Sequence, residues 1–432
     1  MGSCFSKLDV RLKGKKVIIV GGSLAGIKVA GLLEQYGFEV TIIEPRDFLF
    51  VPFGAMRAAT SADESWSKRL TVPLDRALKT GVILRGKAQS VDPEAKTVQF
   101  QSMNPDGSNK AEPAQSLAYD FLVIACGAQF ESPFKPASVN ARETQKALVD
   151  MGVSVRAAKK VVIVGGGPCG IEMAGEVRDA NPAADITLVH SGTALLTGSG
   201  NQVSNPKLSE KLIQRLNVCK ITTLLNTRVV DVVGGSAHAG MGSSVTIGPC
   251  ECKLSGGHSN PTNSSEATKL TAEVLSDVDL VINAKGSGKP NTQWLAGSPL
   301  ATALDKNGAV KCSRTYAVQG FESTVFTFGD CAAGPDAKAG WLLDSAAAVV
   351  CENIRLLALS TPGASQPKLK QAPAEGYKGL IVVPIGKSDG AGLLPFGTVG
   401  PWFTSIVKGG DLFLEAVSGS VGYSKAELVA RN

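Results

Sequence analysis

The sequence has no Cys-x-x-Cys pair, only three histidines, few aromatic residues and no long apolar run. Each shortage closes off a class of function. The nine cysteines, at positions 4, 126, 169, 219, 250, 252, 312, 331 and 351, are odd in number and lack the spacing of a disulfide framework, which indicates a reducing compartment. Cys250 and Cys252 form a Cys-x-Cys, but no second pair or histidine cluster completes a zinc site. His190, His238 and His258 are too dispersed to share an ion, so no metal is expected. Without a stretch of about eighteen or more apolar residues the chain is not expected to span a bilayer. The excess of 44 Lys plus Arg over 38 Asp plus Glu is too small and too scattered to suit nucleic acid.

Glycine is what the chain holds in quantity, 48 in 432 residues, beside a 44% hydrophobic content that can build a substantial core. Many strand-to-helix turns need such backbone freedom, so the composition matches an α/β architecture. Basic residues concentrate only at the front, where Lys7, Arg11, Lys13, Lys15 and Lys16 surround Asp9. The leader also satisfies M-G-x-x-x-[ST] through Met1, Gly2 and Ser6, the pattern for myristoylation of Gly2. One acyl chain anchors weakly, and Cys4, placed for palmitoylation, and the basic cluster are candidates for the second signal that stable attachment requires.

Two stretches carry the same grammar of apolar strand, glycine turn, helix and second strand. The first reads KVIIV, GGSLAG, IKVAGLLEQYG, FEVTIIE, and the second KKVVIVGGGPCGIEMAGEVRDANPAADITLVH. In such a unit the glycines permit a tight turn, close approach of backbone to a pyrophosphate, and close helix packing, while the helix N-terminus faces the phosphates. Gly21, Gly22, Ser23, Ala25 and Gly26 form the first loop, with Ser23 where a glycine is usual. Glu44 ends its second strand, placed for ribose hydroxyls. Gly165, Gly167 and Gly170 form the second loop, whose strand ends in His190. The missing carboxylate leaves NADPH unrepelled, yet SGTALLTGSG offers no base for a 2′-phosphate, so NADH and NADPH both stay open. YDFLVIACGA and VDLVINAKGSGKPN empty into Gly127 and Gly286, and STVFTFGDCAA delivers Gly329 and Asp330 toward the ribityl chain or pyrophosphate of FAD. Two such units in one chain imply two dinucleotides.

The order GGSLAG…E, ACG, GGGPCGIEMAGE, AKGSGKPN and FTFGDCA resembles the two-dinucleotide-domain flavoproteins of the pyridine nucleotide-disulfide oxidoreductase superfamily. Within them it is most similar to the ferroptosis-suppressor family, over almost the whole chain, including the MGS start, LVHS, IGKSDGAG and KGGDLF. Cys126 stands where that pattern has Thr, and a Gly/Ser/Asn-rich insertion from Gly234 to Ala272, read as an elongated hairpin or loose loop, enlarges the second unit.

The resemblance implies FAD and NADH or NADPH as cofactors, a functional carboxylate at Glu172 and a catalytic cation at Lys338. Both positions make chemical sense: Glu172 sits on the first turn after Gly170, and Lys338 precedes a helix whose N-terminus would face the flavin, where positive charge stabilises its reduced anion. Arg57 is a further candidate for holding FAD. Phe48, Phe50 and Phe53 offer an apolar wall, with core packing as their default use.

The expected architecture is α/β: a lipidated basic leader (1–11), a discontinuous FAD domain (12–140 and 292–360), an NAD(P)H domain (141–291), a linker (361–376) and a small α+β C-terminal domain (377–432). In that domain Trp402 and Phe413 suggest an apolar face for a homodimer or a membrane. The expected activity is NAD(P)H:quinone oxidoreduction with a lipid-soluble quinone, by a lipid-anchored protein on the cytosolic face of a plasma membrane, lipid droplet or organelle. Two other readings stand beside it: a reductase of a soluble acceptor such as monodehydroascorbate, and a nucleotide-sensing cell-death interaction protein with little turnover.

Overall fold

Lys16–Val20 (β1) buries four consecutive residues from Val17, so both its faces are covered, as in a strand with helices on each side of its sheet. In the computed structural model, which describes residues 8–431 except 132, 137, 198–204, 234–242, 250–272, 287, 336–339, 362–364, 374–379 and 409, β1 feeds the helix Leu24–Tyr36 (α1). Gly37 ends that helix in a left-handed conformation. The chain returns as Glu39–Glu44 (β2), and β1 lies parallel between β2 and Phe121–Ile124 (β3). Val82–Asp92 extends the sheet in parallel, and Thr97–Ser102 and Gln115–Ala118 add an antiparallel flap.

The second unit repeats the pattern with Lys160–Val164 (β4), the helix Pro168–Ala180 (α2) and Asp185–Val189 (β5). Together with Ile221–Leu224 and Leu280–Asn283 (β6) they make a four-stranded parallel sheet. Val325–Thr327 (β7) then returns to pair in parallel with β3, completing the first sheet as the outermost of its seven strands. The helix Leu343–Ala358 (α3) packs against α1, and Lys28 of α1 pairs with Asp344 of α3. The fold is thus α/β with two Rossmann-like dinucleotide-binding units and a small α+β unit at the C-terminus.

Part of the insertion takes the hairpin form, extended to three strands, rather than that of a loose loop. Ser243–Pro249 is the middle strand of an antiparallel sheet with Thr227–Val233 and Glu273–Val278. Its Val245 and Ile247 are buried with Val162, Val164 and Val189, covering the other face of the second parallel sheet. The rest of the insertion, with Cys250 and Cys252, lies outside the described residues.

At the C-terminus, Ile381–Ile385, Asp389–Leu394 and Gly397–Val399 form an antiparallel sheet followed by short helices. Its first turn seats on α2 so closely that a Cβ at Gly175 would lie 2.2 Å from the Gly386 nitrogen. Arg215 and Asp389 form a second link, an ion pair. Among the described residues no helix is long and apolar enough to cross a membrane, and no three His, Cys, Asp or Glu are grouped to hold a metal ion.

Candidate dinucleotide and acceptor sites

Both glycine loops are fixed by the same two close approaches. Gly21 turns with φ +110° and Gly165 with φ +120°, and a Cβ on either would fall 2.4 or 2.5 Å from the carbonyl oxygen of Ala125 or Ala284, the residue just past the neighbouring strand. At Gly26 and Gly170 a Cβ would lie 1.8 Å from the carbonyl oxygen of Gly21 and Gly165, respectively. Only glycine permits this turn and this helix placement. α1 and α2 begin at Ser23 and Gly167 without a side-chain cap, so their first-turn N–H groups are left for another acceptor. Cβ atoms at Gly167, Gly127 and Gly286 would meet nothing within 4 Å. Open backbone before an uncapped helix N-terminus fits a pyrophosphate in each unit.

The ends of β2 and β5 close onto these loops. Gly22 donates its amide to Glu44 Oε2 at 2.5 Å, and the buried carboxylate also accepts Arg46 Nε at 2.8 Å. In the second unit the Gly166 amide donates to His190 Nδ1 at 3.2 Å, while Nε2 lies 3.1 Å from Thr197 Oγ1. Burial pushes the His190 pKa down.

Gly329, with φ +79°, brings the loop after β7 against α1, where its Cβ would lie 3.6 Å from that of Ala25. Asp330 Oδ2 accepts Lys135 Nζ at 3.1 Å. Asn291 donates its backbone amide to Gly127 O and its side-chain amide to Cys126 O, both at 3.0 Å. The short strand pair Ala128–Gln129 and Lys289–Pro290 lies beside this bridge. The first loop, Glu44, Gly127, Gly329 and Asp330 therefore converge on the C-terminal edge of the first sheet, and the second loop, His190 and Gly286 on that of the second, where open α/β sheets bind ligands.

Arg57, on the short helix Ala55–Ser61, is buried and directs its Nε and Nη2 to Glu176 of α2 at 3.0 and 2.8 Å, and Nη1 to Gly410 O at 2.7 Å. Glu172 is half-buried on α2. Lys338, Gly2, Cys4 and Lys7 lie outside the described residues. Phe48 and Phe50 belong to the core, but Phe53 packs edge-on against Phe413 at 6.5 Å. It also lies flush with Gly340, where a Cβ would be 2.5 Å from its Cζ. Gly340 opens the turn leading into α3. Reading the sequence missed Glu176, Lys135 and Thr197. Glu176 lies one helical turn beyond Glu172 on the same face, a usable signal; Lys135 carried none.

The chain is similar to known proteins. The family described as pyridine nucleotide-disulphide oxidoreductase matches residues 15–348. Apoptosis-inducing factor homolog B of Dictyostelium discoideum is 27% identical over 93% of this chain and 95% of its own. Ferroptosis suppressor protein 1 of Taeniopygia guttata is 25% identical over 92% and 94%. The solved sulfide:quinone oxidoreductase of Aquifex aeolicus superposes with a TM-score of 0.63 at 17% identity, covering 96% of this chain and 94% of that one.

Proposed function

The chain belongs to the pyridine nucleotide-disulphide oxidoreductase family, and on that premise we propose that it is a membrane-attached NAD(P)H:quinone oxidoreductase. It is an FAD-dependent oxidoreductase, and its cofactors are FAD and NAD(P)H. We assign FAD to the unit formed by 12–140 and 292–360, and NAD(P)H to 141–291. Flavin, when bound, takes a hydride from nicotinamide and passes two electrons to an acceptor.

The chain's own residues bind and orient. Gly21, Gly22, Ser23, Ala25 and Gly26 would hold the FAD pyrophosphate, with Glu44 toward the ribose and Gly127, Gly329 and Asp330 along the rest of the cofactor. Gly165, Gly167, Gly170, His190 and Gly286 would hold the nicotinamide nucleotide. Glu172 and Lys338 are assigned to the nicotinamide and flavin ends as catalytic groups.

The acceptor half rests on one observation, the aromatic run from surface to interior. Phe413 is half exposed and meets Phe53 edge-on, and Phe53 abuts the backbone before α3. An apolar ring suits that lining better than a charged metabolite. Phe396, Trp402 and Ile406 stand exposed on the same C-terminal unit, and the Aquifex protein, by its name, acts on a quinone. Gly2 acylation, with Cys4 and the basic leader, would hold the protein at the cytosolic face of a membrane, where a bilayer-dissolved quinone is met at high effective concentration.

The test mixes purified protein, NADH or NADPH, and liposomes carrying a long-chain quinone, comparing the intact chain with Gly2→Ala, both made in a myristoylating host. Quinol formation that falls on loss of the acyl group is the expected result. Equal rates with a water-soluble acceptor in both proteins favour the soluble-acceptor reading, and negligible turnover with any acceptor overturns the enzyme reading.

A further inference from the structure

His190 ends β5 where Glu44 ends β2, and each side chain takes the amide of the second glycine in its loop. An amide N–H only donates, so Nδ1 of His190 must present a lone pair, and the proton of the neutral ring then sits on Nε2. Thr197 Oγ1, 3.1 Å away, can receive it, because its own hydroxyl donates to the Ala194 carbonyl at 2.5 Å. Protonating Nδ1 would set two donors against each other, and burial opposes the cation as well. The ring is also held in place. His190 donates its amide to Leu224 O and accepts the Thr227 amide. Gly192 closes over the far edge, where an added Cβ would lie 2.7 Å from Nε2.

We propose that His190 sets the nucleotide specificity of the second site: a neutral ring with both nitrogens engaged stands where a carboxylate would repel a 2′-phosphate, so NADH and NADPH are both accepted. This rests on reading the second unit as the NAD(P)H site. A carboxylate at that strand end selects NADH twice over, by accepting ribose hydroxyls and by repelling phosphate. The locked imidazole does neither.

The experiment is titration calorimetry of the FAD-loaded protein with NAD+ and with NADP+, which bind without reducing the flavin. The wild-type dissociation constants should agree within about tenfold, and His190→Glu, which restores an acceptor for the Gly166 amide, should raise the NADP+ to NAD+ ratio by about tenfold or more. An unchanged ratio in His190→Glu of normal flavin content overturns the proposal. So does a wild type that already prefers NAD+ by more than about a hundredfold. Should His190→Glu fail to fold, nitrogen NMR of histidine-labelled wild type, with the signal assigned by its loss in His190→Gln, reads the tautomer directly. A neutral Nε2–H ring supports the proposal, whereas an Nδ1–H ring or an imidazolium at neutral pH overturns it. If neither nucleotide binds either protein, the assignment of the second site itself falls, and the proposal with it.

Discussion

Arg57 and Glu176 form a buried two-pronged ion pair that joins the first dinucleotide unit to the second, and the remaining arm of the guanidinium reaches Gly410 of the C-terminal unit. One side chain thereby ties three parts of the molecule together. Removing either partner leaves the other's charge or hydrogen bonds unanswered inside the protein.

Arg57→Ala should therefore destabilise the fold by about 3–5 kcal/mol, through an uncompensated buried carboxylate, and Glu176→Gln by less, because the amide can still accept. Burial pushes the Glu176 carboxyl above its ordinary range while Arg57 pulls it back. A raised folded pKa means that the folded chain binds the proton more tightly, so stability is greatest below the ordinary carboxylate range and declines as pH rises through the raised value. Loss of Arg57 should steepen that decline. Melting temperatures of wild type and variant across mildly acid to neutral pH check it, and parallel curves would refute it.

His190 titrates with the opposite sign. Its folded pKa is depressed, so its contribution to stability is present above the ordinary imidazole range and is lost as pH falls through the depressed value. Thermal unfolding of wild type should weaken over that window more than that of His190→Gln. Identical acid limbs would show that burial does not hold the ring neutral.

The two glycine loops should fail separately. A Cβ at Gly170 or Gly26 would lie 1.8 Å from a carbonyl oxygen, which forces the loop and helix apart. Gly170→Ala should keep its yellow colour yet lose at least about tenfold in the rate at which NADH or NADPH bleaches the flavin, by misplacing the nicotinamide. Gly26→Ala should purify with little flavin. The reverse pattern in absorbance spectra would exchange the assignments of the two units.

Trp402 and Ile406 are 68% and 76% exposed on the helix Pro401–Lys408, too much apolar surface to be idle if the substrate lives in lipid. Trp402→Ser with Ile406→Ser should reduce sedimentation with liposomes and turnover of a long-chain quinone, while a short soluble quinone is reduced at the wild-type rate. Equal loss with both quinones would locate the defect in the fold instead.

Much of this was legible because it is local. Strand, glycine turn, helix and strand end occupy about thirty consecutive residues in a βαβ unit, so Gly21 to Glu44 and Gly165 to His190 announce themselves in order. What the pattern could not reveal was pairing across the chain. Arg57, expected near FAD, is engaged by a carboxylate 119 positions away. Asp330 was visible after its buried strand, but its partner Lys135, 195 positions earlier, stood in an unremarkable loop. Ser243–Pro249 looked like insertion because its Ser and Gly neighbours are poor strand formers; its place comes from burying Val245 and Ile247 against a sheet already present.

The return of β7 has a consequence for how the protein is born. β3 ends at Ile124, and its outer neighbour does not leave the ribosome until about two hundred residues later, at a rate of roughly 5–20 residues per second. For many seconds β3 is a bare apolar edge, open to the wrong strand. The intervening unit, whose four parallel strands all lie between Lys160 and Asn283, can close first. Chaperone dependence should accordingly concentrate on the earlier half of the nascent chain, which waits for its last strand.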